Sequence, residues 1–404
     1  MIFGASLEKL TIDASTTSDI LVISSINELA ITPSVTKFST GLLSNSIGKI
    51  TIEDSETPLT TSTFKCETPS LYLGRNVSAN TFKGMTTLKN VTFSDKLTSI
   101  DNGAFRDCSG LTSLSIPNAI TSIGDYAFYG CSGLTSVAIP NSVTLIGNYA
   151  FDACSALTSI EFPHSVSSIG SYAFANCDGL TDALTIPNSV NTIGQSAFSG
   201  CTGISQLTFE DGDETLEIKS DAFKYTSLTE VYFGRQMDFT KVPCENLETV
   251  ELGKHVTSMV KGAFTEGNAV RTVISHNPVP PTADDVDIFS TRTYLEGELY
   301  VPEASIEAYQ AANGWRLFGV FKPLPDEGDS ESSSGIGSVT DGGLISISAK
   351  HGVFYVSGKA PNDEVSVYTI SGTLLLKTKE TVIPMSQSGT FVVRVKQVAL
   401  KIVL

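Results

Sequence analysis

Charge is scarce in this chain. Asp, Glu, Lys and Arg make up 17% of its 404 residues, against about a quarter in an average globular protein. Basic groups are the scarcer kind, and the formal net charge is −17. Between residues 101 and 200 Arg106 is the only Lys or Arg, facing seven acids. Such a surface repels phosphate backbones and anionic lipid, which excludes nucleic acid as a partner. Long apolar runs are absent too, so no transmembrane segment is expected. No leader is visible, because Ile2-Phe3-Gly4 runs straight into the first strand pattern; the expectation is a mature chain whose leader has been removed. The four histidines, His164, His255, His276 and His351, lie far apart in sequence, and no C-x-x-C pair, P-loop or dinucleotide fingerprint occurs. These gaps argue against a zinc knuckle or a nucleotide site, and no cofactor is expected.

What the chain does have is a period. Cys108, Cys131, Cys154, Cys177 and Cys201 recur at steps of 23, 23, 23 and 24 residues, each three residues after an Ala-Phe pair. The windows from Leu111, Leu134, Leu157 and Leu180 read alike, as in LTSVAIPNSVTLIGNYAFDAC, and the last holds one extra residue. Fixed periods of this length mean a stack of supersecondary units. The spacing L-x-x-L-x-I is that of a strand with its apolar positions turned inward. Pro117, Pro140, Pro163 and Pro187 close each strand, since proline cannot donate to a ladder. Phe105, Phe128, Phe151, Phe174 and Phe198 should then stack as a column on another side of the coil. The fold class is therefore mainly β: a repeat solenoid, in which each turn is stable only when its neighbours cover it. Leu7–Ile12, Ile26–Ile31, Ile47–Ile52, Leu71–Leu73, Leu88–Phe93, Ile204–Phe209, Leu228–Phe233 and Leu247–Leu252 extend the pattern to roughly thirteen turns.

Equivalent Cα atoms of stacked turns lie about 4.8 Å apart, but parallel side chains hold their Cβ atoms too far apart for a relaxed disulfide. The cysteines, with Cys66 and Cys244 in addition, are read as buried free thiols acting as small apolar residues.

The solenoid is assigned to 1–277, clearest over 88–223. A C-terminal cap follows over 278–323, with a strand at 298–302 and a helix from Ser305, its cap, to Gly314; Trp315 and Phe318 seal the end. Residues 324–338 read as an acidic flexible linker, and 339–404 as a small antiparallel β-sandwich of short strands.

The repeats resemble the BspA-like leucine-rich repeats, whose turns carry L-x-x-L-x-I-P and then S-I-G-x-x-A-F-x-x-C. The segment Leu299-Tyr300-Val301-Pro302 with Gly314-Trp315 resembles the cap of such proteins. This resemblance implies a secreted or outer-surface protein of Bacteroidetes or an ecological equivalent, with adhesion to host matrix proteins, bacterial surfaces or glycans. The tail is similar to type IX secretion sorting domains, through Ser371-Gly372-Thr373-Leu374 and Gly389-Thr390-Phe391-Val392-Val393-Arg394-Val395.

No constellation declares a reaction, and no catalytic or metal site is assigned. Glu210–Glu214 and Asp284–Asp287 are acidic enough for calcium but lack EF-hand spacing, so solvated loops are the simpler reading. The outward strand positions of the regular turns are a Ser/Thr face without anchors. Later turns are richer, and the candidate ligand face comprises Glu230, Tyr232, Glu248 and Glu251, with Gln206, Thr208 and Thr249 beside them. An adhesion solenoid is the leading function. A carbohydrate-active enzyme on a parallel β-helix is the rival, and would need converging Asp, Lys, Arg or His on adjacent turns. A structural spacer is the third reading.

Overall fold

The computed structural model describes residues 6–15, 25–38, 46–181, 183–238, 245–283 and 288–324, and beyond these the strands between Ser334 and Val403 with Glu364 and Lys379. The chain divides into Met1–Leu324 and Pro325–Leu404.

The first unit is the coil. One side is a parallel strand ladder. Ser6–Ile12, Ser25–Ile31, Ile47–Ile52, Ser70–Leu73 and Asn90–Phe93 form a five-stranded sheet, and Ser113–Ser115 pairs with Ser136–Ala138. A seven-stranded sheet follows from Leu184–Ile186 through Gln206–Phe209, Glu230–Phe233, Thr249–Leu252, Thr272–Ser275 and Glu298–Val301 to Val320–Pro323. Equivalent residues pair in register, Leu207 with Val231 and Val231 with Val250. Alternate residues are buried as the period of two requires, as in Glu230–Phe233, where Val231 and Phe233 point in. The proline after each regular strand starts a turn through its carbonyl: Ile120, Val143, Val166 and Val190 donate N–H to the carbonyls of Pro117, Pro140, Pro163 and Pro187.

A second ladder of short strands runs from Ser122–Ile123 through Leu145–Ile146, Ser168–Ile169, Thr192–Ile193 and Leu216–Ile218 to Met237–Asp238. Glycine follows the isoleucine in the regular turns because the turns touch there. A Cβ on Gly170 would lie 2.6 Å from the backbone of Gly147. The third side carries the Ala-Phe pairs. Phe128 donates its N–H to the Ala150 carbonyl at 2.8 Å and Phe151 to that of Ala173 at 2.7 Å, so these turns too are zipped to their neighbours.

One expected strand is missing. Leu157–Phe162 carries the repeat pattern but is not part of a ladder. The following turn holds the extra residue, and its strand starts only at Leu184. The two turns are joined by a long contact from Thr181 N to Thr158 O at 3.4 Å, over a cavity of about 20 Å³ lined by Ser159, Ile160, Ala183 and Leu184. The break in the ladder thus lies next to the turn that holds the extra residue.

The C-terminal end is closed by two helices, Thr291–Glu296 (α1) and Ile306–Ala311 (α2). Ser290 caps α1, its Oγ accepting from Thr293 N. Ser305 does not cap α2 as expected; its Oγ donates to the Pro278 carbonyl at 2.8 Å, and a 3₁₀ turn over Glu303–Ser305 leads in. The helix stops at Ala311, short of Gly314. Tyr309 and Trp315 are fully buried. The Tyr309 hydroxyl reaches Ser275 and Asn277, and Trp315 Nε1 donates to Pro281 O. Phe318 packs its ring against Phe289.

The second unit holds two four-stranded antiparallel sheets. One contains Ser334–Gly335, Ser346–Lys350, Val353–Ser357 and Val382–Pro384. The other contains Leu374–Thr378, Val365–Thr369, Thr390–Val395 and Val398–Val403, with Val365, Val367 and Val393 buried. The turn residues Ser371, Gly372 and Gly389, most of the expected linker and His351 lie outside the described residues. Among those described, no helix is long and apolar enough to cross a membrane.

Candidate functional site

Register across the seven-stranded sheet sets the outward rows of the strand face. One row reads Thr185, Thr208, Tyr232, Glu251, Ile274, Tyr300, Lys322; the other includes Gln206, Glu230, Thr249, Thr272 and Glu298. Glu230, Tyr232 and Glu251 therefore lie on adjacent strands, while Glu248 is exposed one residue before its strand. The Tyr232 hydroxyl donates to Asp211 Oδ1 at 2.7 Å. Burial, and then the bond to Asp211, raise its pKa far above the usual phenol range. Gln206 Nε2 donates to Glu230 Oε2 at 2.9 Å. Farther along, Lys322 Nζ and the Tyr300 hydroxyl both donate to the Glu298 carboxylate, at 2.6 and 2.7 Å. The Lys322 bond, then the Tyr300 bond, hold that carboxyl below its ordinary value.

Three carboxylates of the acidic loop Glu210–Glu214 are bonded to neighbouring turns. Glu210 Oε2 meets His164 Nε2 at 3.0 Å and accepts from Asn188 N at 3.1 Å; Asp211 holds Tyr232; Asp213 Oδ1 meets His255 Nδ1 at 2.9 Å. His276 Nε2 meets Glu251 Oε1 at 2.6 Å. Histidines remote in sequence are thus gathered by the coil against carboxylates one or two turns away. Among the described residues no three side chains are grouped as metal ligands; Asp284–Asp287 lies outside them.

The sulfur file is geometric fact. Cys108, Cys131, Cys154, Cys177 and Cys201 are free and fully buried. Each thiol donates to a phenylalanine carbonyl of the preceding turn, those of Phe82, Phe105, Phe128, Phe151 and Phe174, at 3.0–3.3 Å. Burial pushes the thiols of Cys66, Cys108, Cys154 and Cys201 up to about 12, and those of Cys131 and Cys177 well above their ordinary value. They are packing groups, not nucleophiles. Cys244 lies outside the described residues. The phenylalanines Phe105, Phe128, Phe151, Phe174 and Phe198 stack at 5.2–5.5 Å, and the column extends to Phe38 at one end and Phe223 at the other.

Two features escaped the sequence reading. Tyr126, Tyr149 and Tyr172 stack in parallel at 4.6 and 4.7 Å, all with left-handed φ near 57°, and Arg106 covers Tyr126 and Tyr129. Arg75 and Arg235 are fully buried. Arg235 donates to the carbonyls of Pro187 and Asn188, two turns back, at 3.1 and 2.8 Å. Arg75 donates to those of Thr32 and Pro33 at 2.8 and 3.2 Å. The available signal was the recurrence of Tyr-x-Gly-Arg, at Tyr72–Arg75 and Tyr232–Arg235.

Among solved structures the chain is similar to a leucine-rich repeat protein from Bacteroides ovatus: 18% identity, 79% of this chain and 92% of that one covered, TM-score 0.48. It is also similar to the pneumococcal vaccine antigen PcpA (15%, 80% and 90% covered, TM-score 0.36). A leucine rich cell surface protein from Faecalibacterium prausnitzii aligns at 16%, with 80% and 89% covered and TM-score 0.28. No curated protein matches. The family of the BspA type leucine rich repeat region matches residues 75–184, 129–242 and 180–280, about half the chain in overlapping copies. Its repeats are those of protein–protein interaction and surface proteins, typically without catalytic activity. The chain belongs to the BspA-type leucine-rich repeat family.

Proposed function

We propose that this protein is a non-enzymatic interaction solenoid, exported to the outer cell surface or beyond, that engages a protein of the host matrix or of another cell through the strand face around Tyr232. The observation that carries this reading is the contrast between two stretches of that face. From Ser113 to Glu161 its outward residues are Ser, Thr, Ala and one Glu. From Gln206 to Lys322 adjacent strands bring Tyr232, Glu230, Glu251, Ile274 and Tyr300 side by side. Tyrosine supplies large contact area at low entropy loss, and the carboxylates add charge recognition. The tail over 339–404, with its excess of basic residues, is read as an export address of the sorting-domain kind.

The test is a binding screen of the whole chain against immobilised matrix proteins and glycans, repeated with Tyr232→Ala and Glu230→Gln. Saturable binding to a protein that weakens tenfold or more in Tyr232→Ala supports the reading. Unchanged affinity removes this patch, and cleavage of a glycan overturns the non-enzymatic reading.

A further inference from the structure

The turns from Ile47 to Ile100 are repeated in detail by those from Ile204 to Met259, about 160 residues later. In the first copy the Tyr72 hydroxyl donates to Asp54 Oδ1, and in the second Tyr232 donates to Asp211 Oδ1, both at 2.7 Å. Each strand then runs through Gly-Arg into the buried guanidinium already described. Asn76 Oδ1 accepts from the backbone N–H groups of Thr98 and Ser99, and Gln236 Oε1 from those of Thr257 and Ser258. The amides of Leu59 and Leu216 donate to the carbonyls of Asn76 and Gln236, both at 2.9 Å.

The copies differ in charge at several positions, among them Asp95 against Lys254 and Thr57 against Glu214, and they differ in the side chain that holds the acidic loop. In the first copy the acidic loop is held by a lysine two turns on, Lys96 Nζ to Glu56 Oε1 at 2.7 Å. In the second, the equivalent contact is His255 Nδ1 to Asp213 Oδ1 at 2.9 Å, and His164 holds Glu210 from the other side at 3.0 Å. A lysine is charged at every physiological pH, whereas a histidine changes charge within that range.

We infer that the loop Glu210–Glu214 is a pH-operated latch on the candidate ligand face, clamped when His164 and His255 carry protons and loosened when they are neutral. This rests on the reading of the Tyr232 face given above, since Tyr232 is bonded to Asp211 in that loop. The charged surroundings favour it. The loop itself offers Glu210, Asp211, Asp213 and Glu214. The strands packed beside it add Glu217, Glu230 and Glu251, the last bonded to His276. The cations nearby are the buried Arg235 beside Glu210, Lys254 next to His255, and Lys219, which is bonded to Glu217. Without imidazolium, the His contacts keep only a neutral donor, about half as strong as a charged one, and the carboxylates repel one another.

The experiment is amide hydrogen exchange by mass spectrometry on the whole protein at pH 5.5 and pH 8.0, corrected for intrinsic rates. Peptides containing Leu216 should lose protection about three- to tenfold at the higher pH, the range of one or two exposed ion pairs. Peptides containing Leu59 should not change, and serve as a control within the same molecule. All the substituted side chains are exposed, so folding is preserved. The double variant His164→Gln/His255→Lys should abolish the response at Leu216, and Lys96→His should create one at Leu59. Equal responses at both loops, no response at either, or a response unaltered in the double variant would overturn the latch. No ligand is present, so a negative result leaves the face itself standing, and loss of the binding reading would leave the exchange result intact.

Discussion

Phe151 sits in the middle of the ring column, fully buried, 5.2 Å from both Phe128 and Phe174. Truncation to alanine would remove a ring from a site whose neighbours cannot refill it without unstacking, at about 3–5 kcal/mol. Of this, each stacked pair accounts for about 0.5–1.5 kcal/mol beyond area burial. That share belongs to pairs of turns, so it must appear as coupling between neighbours. Leucine substitutions keep most of the apolar volume and hold a double variant folded. In a cycle of Phe151→Leu and Phe174→Leu the double variant should therefore be about 1 kcal/mol less destabilised than the sum of the singles. Phe151→Leu with Phe264→Leu should be additive within about 0.5 kcal/mol, because the Phe264 ring stacks on Phe289 at 5.2 Å and shares no partner with Phe151. Urea unfolding by far-ultraviolet circular dichroism gives the free energies. Fluorescence of Trp315, the single tryptophan in the cap, shows whether the coil unfolds as one unit. Additivity in the adjacent pair would refute nearest-neighbour coupling through the rings, and equal coupling in both pairs would make the effect global.

The thiols should be silent in the native protein. With pKa values near 12 for Cys108, Cys154 and Cys201, the thiolate fraction at pH 8 is about one in ten thousand, so iodoacetamide should label them only after denaturation. Native labelling of any of the three contradicts the burial account, and two or fewer free thiols in the denatured, unreduced chain contradicts the packing account. Arg235→Met should destabilise by about 3 kcal/mol, since it leaves the Pro187 and Asn188 carbonyls without their donors. Arg235→Lys should recover little, because one ammonium cannot bridge both oxygens as the guanidinium fork does; full recovery in chemical denaturation would show that charge alone matters there. Gly170→Ala should lower the midpoint of thermal unfolding markedly, since its Cβ would sit 2.6 Å from the Gly147 backbone and must push two turns apart; a neutral result would mean that the turns are loosely stacked.

The features legible in the sequence are those repeated at every turn. An inward Leu or Ile, a proline at the strand end, a glycine where turns touch and an Ala-Phe pair before a cysteine each meet their own kind one turn away. A contact between equivalent residues is written into the period itself. Contacts between unlike residues are not. Ser305 has the residue type of a cap, but the Pro278 carbonyl lies within reach and takes its hydroxyl. Helix α1 is six residues long, too short for an apolar period to show. The segment Leu157–Phe162 carries the same apolar pattern as its neighbours and still stays outside the ladder, beside the turn that holds the extra residue, so its own residues do not announce the break.

The candidate site belongs to this second kind. The Tyr232–Asp211, His164–Glu210, His255–Asp213 and Arg235–Pro187 contacts join residues one or two turns apart at non-equivalent positions. Averaging the turns to find the repeat consensus discards them. The tyrosine–aspartate bond and the buried arginine recur instead on a longer period, once in each half of the coil, and that recurrence separates chance polar contacts from built ones. A hydrogen bond seen once on a surface can be incidental. The same tyrosine–aspartate bond, the same buried arginine and the same side-chain amide clasp, present together at both places, form a unit. Against that shared frame the copies differ in charge at several positions, Asp95 against Lys254 and Thr57 against Glu214 among them; the exchange of Lys96 for His255 is the one that alters the side chain bonded to the acidic loop, in the copy whose tyrosine lies on the richer half of the strand face.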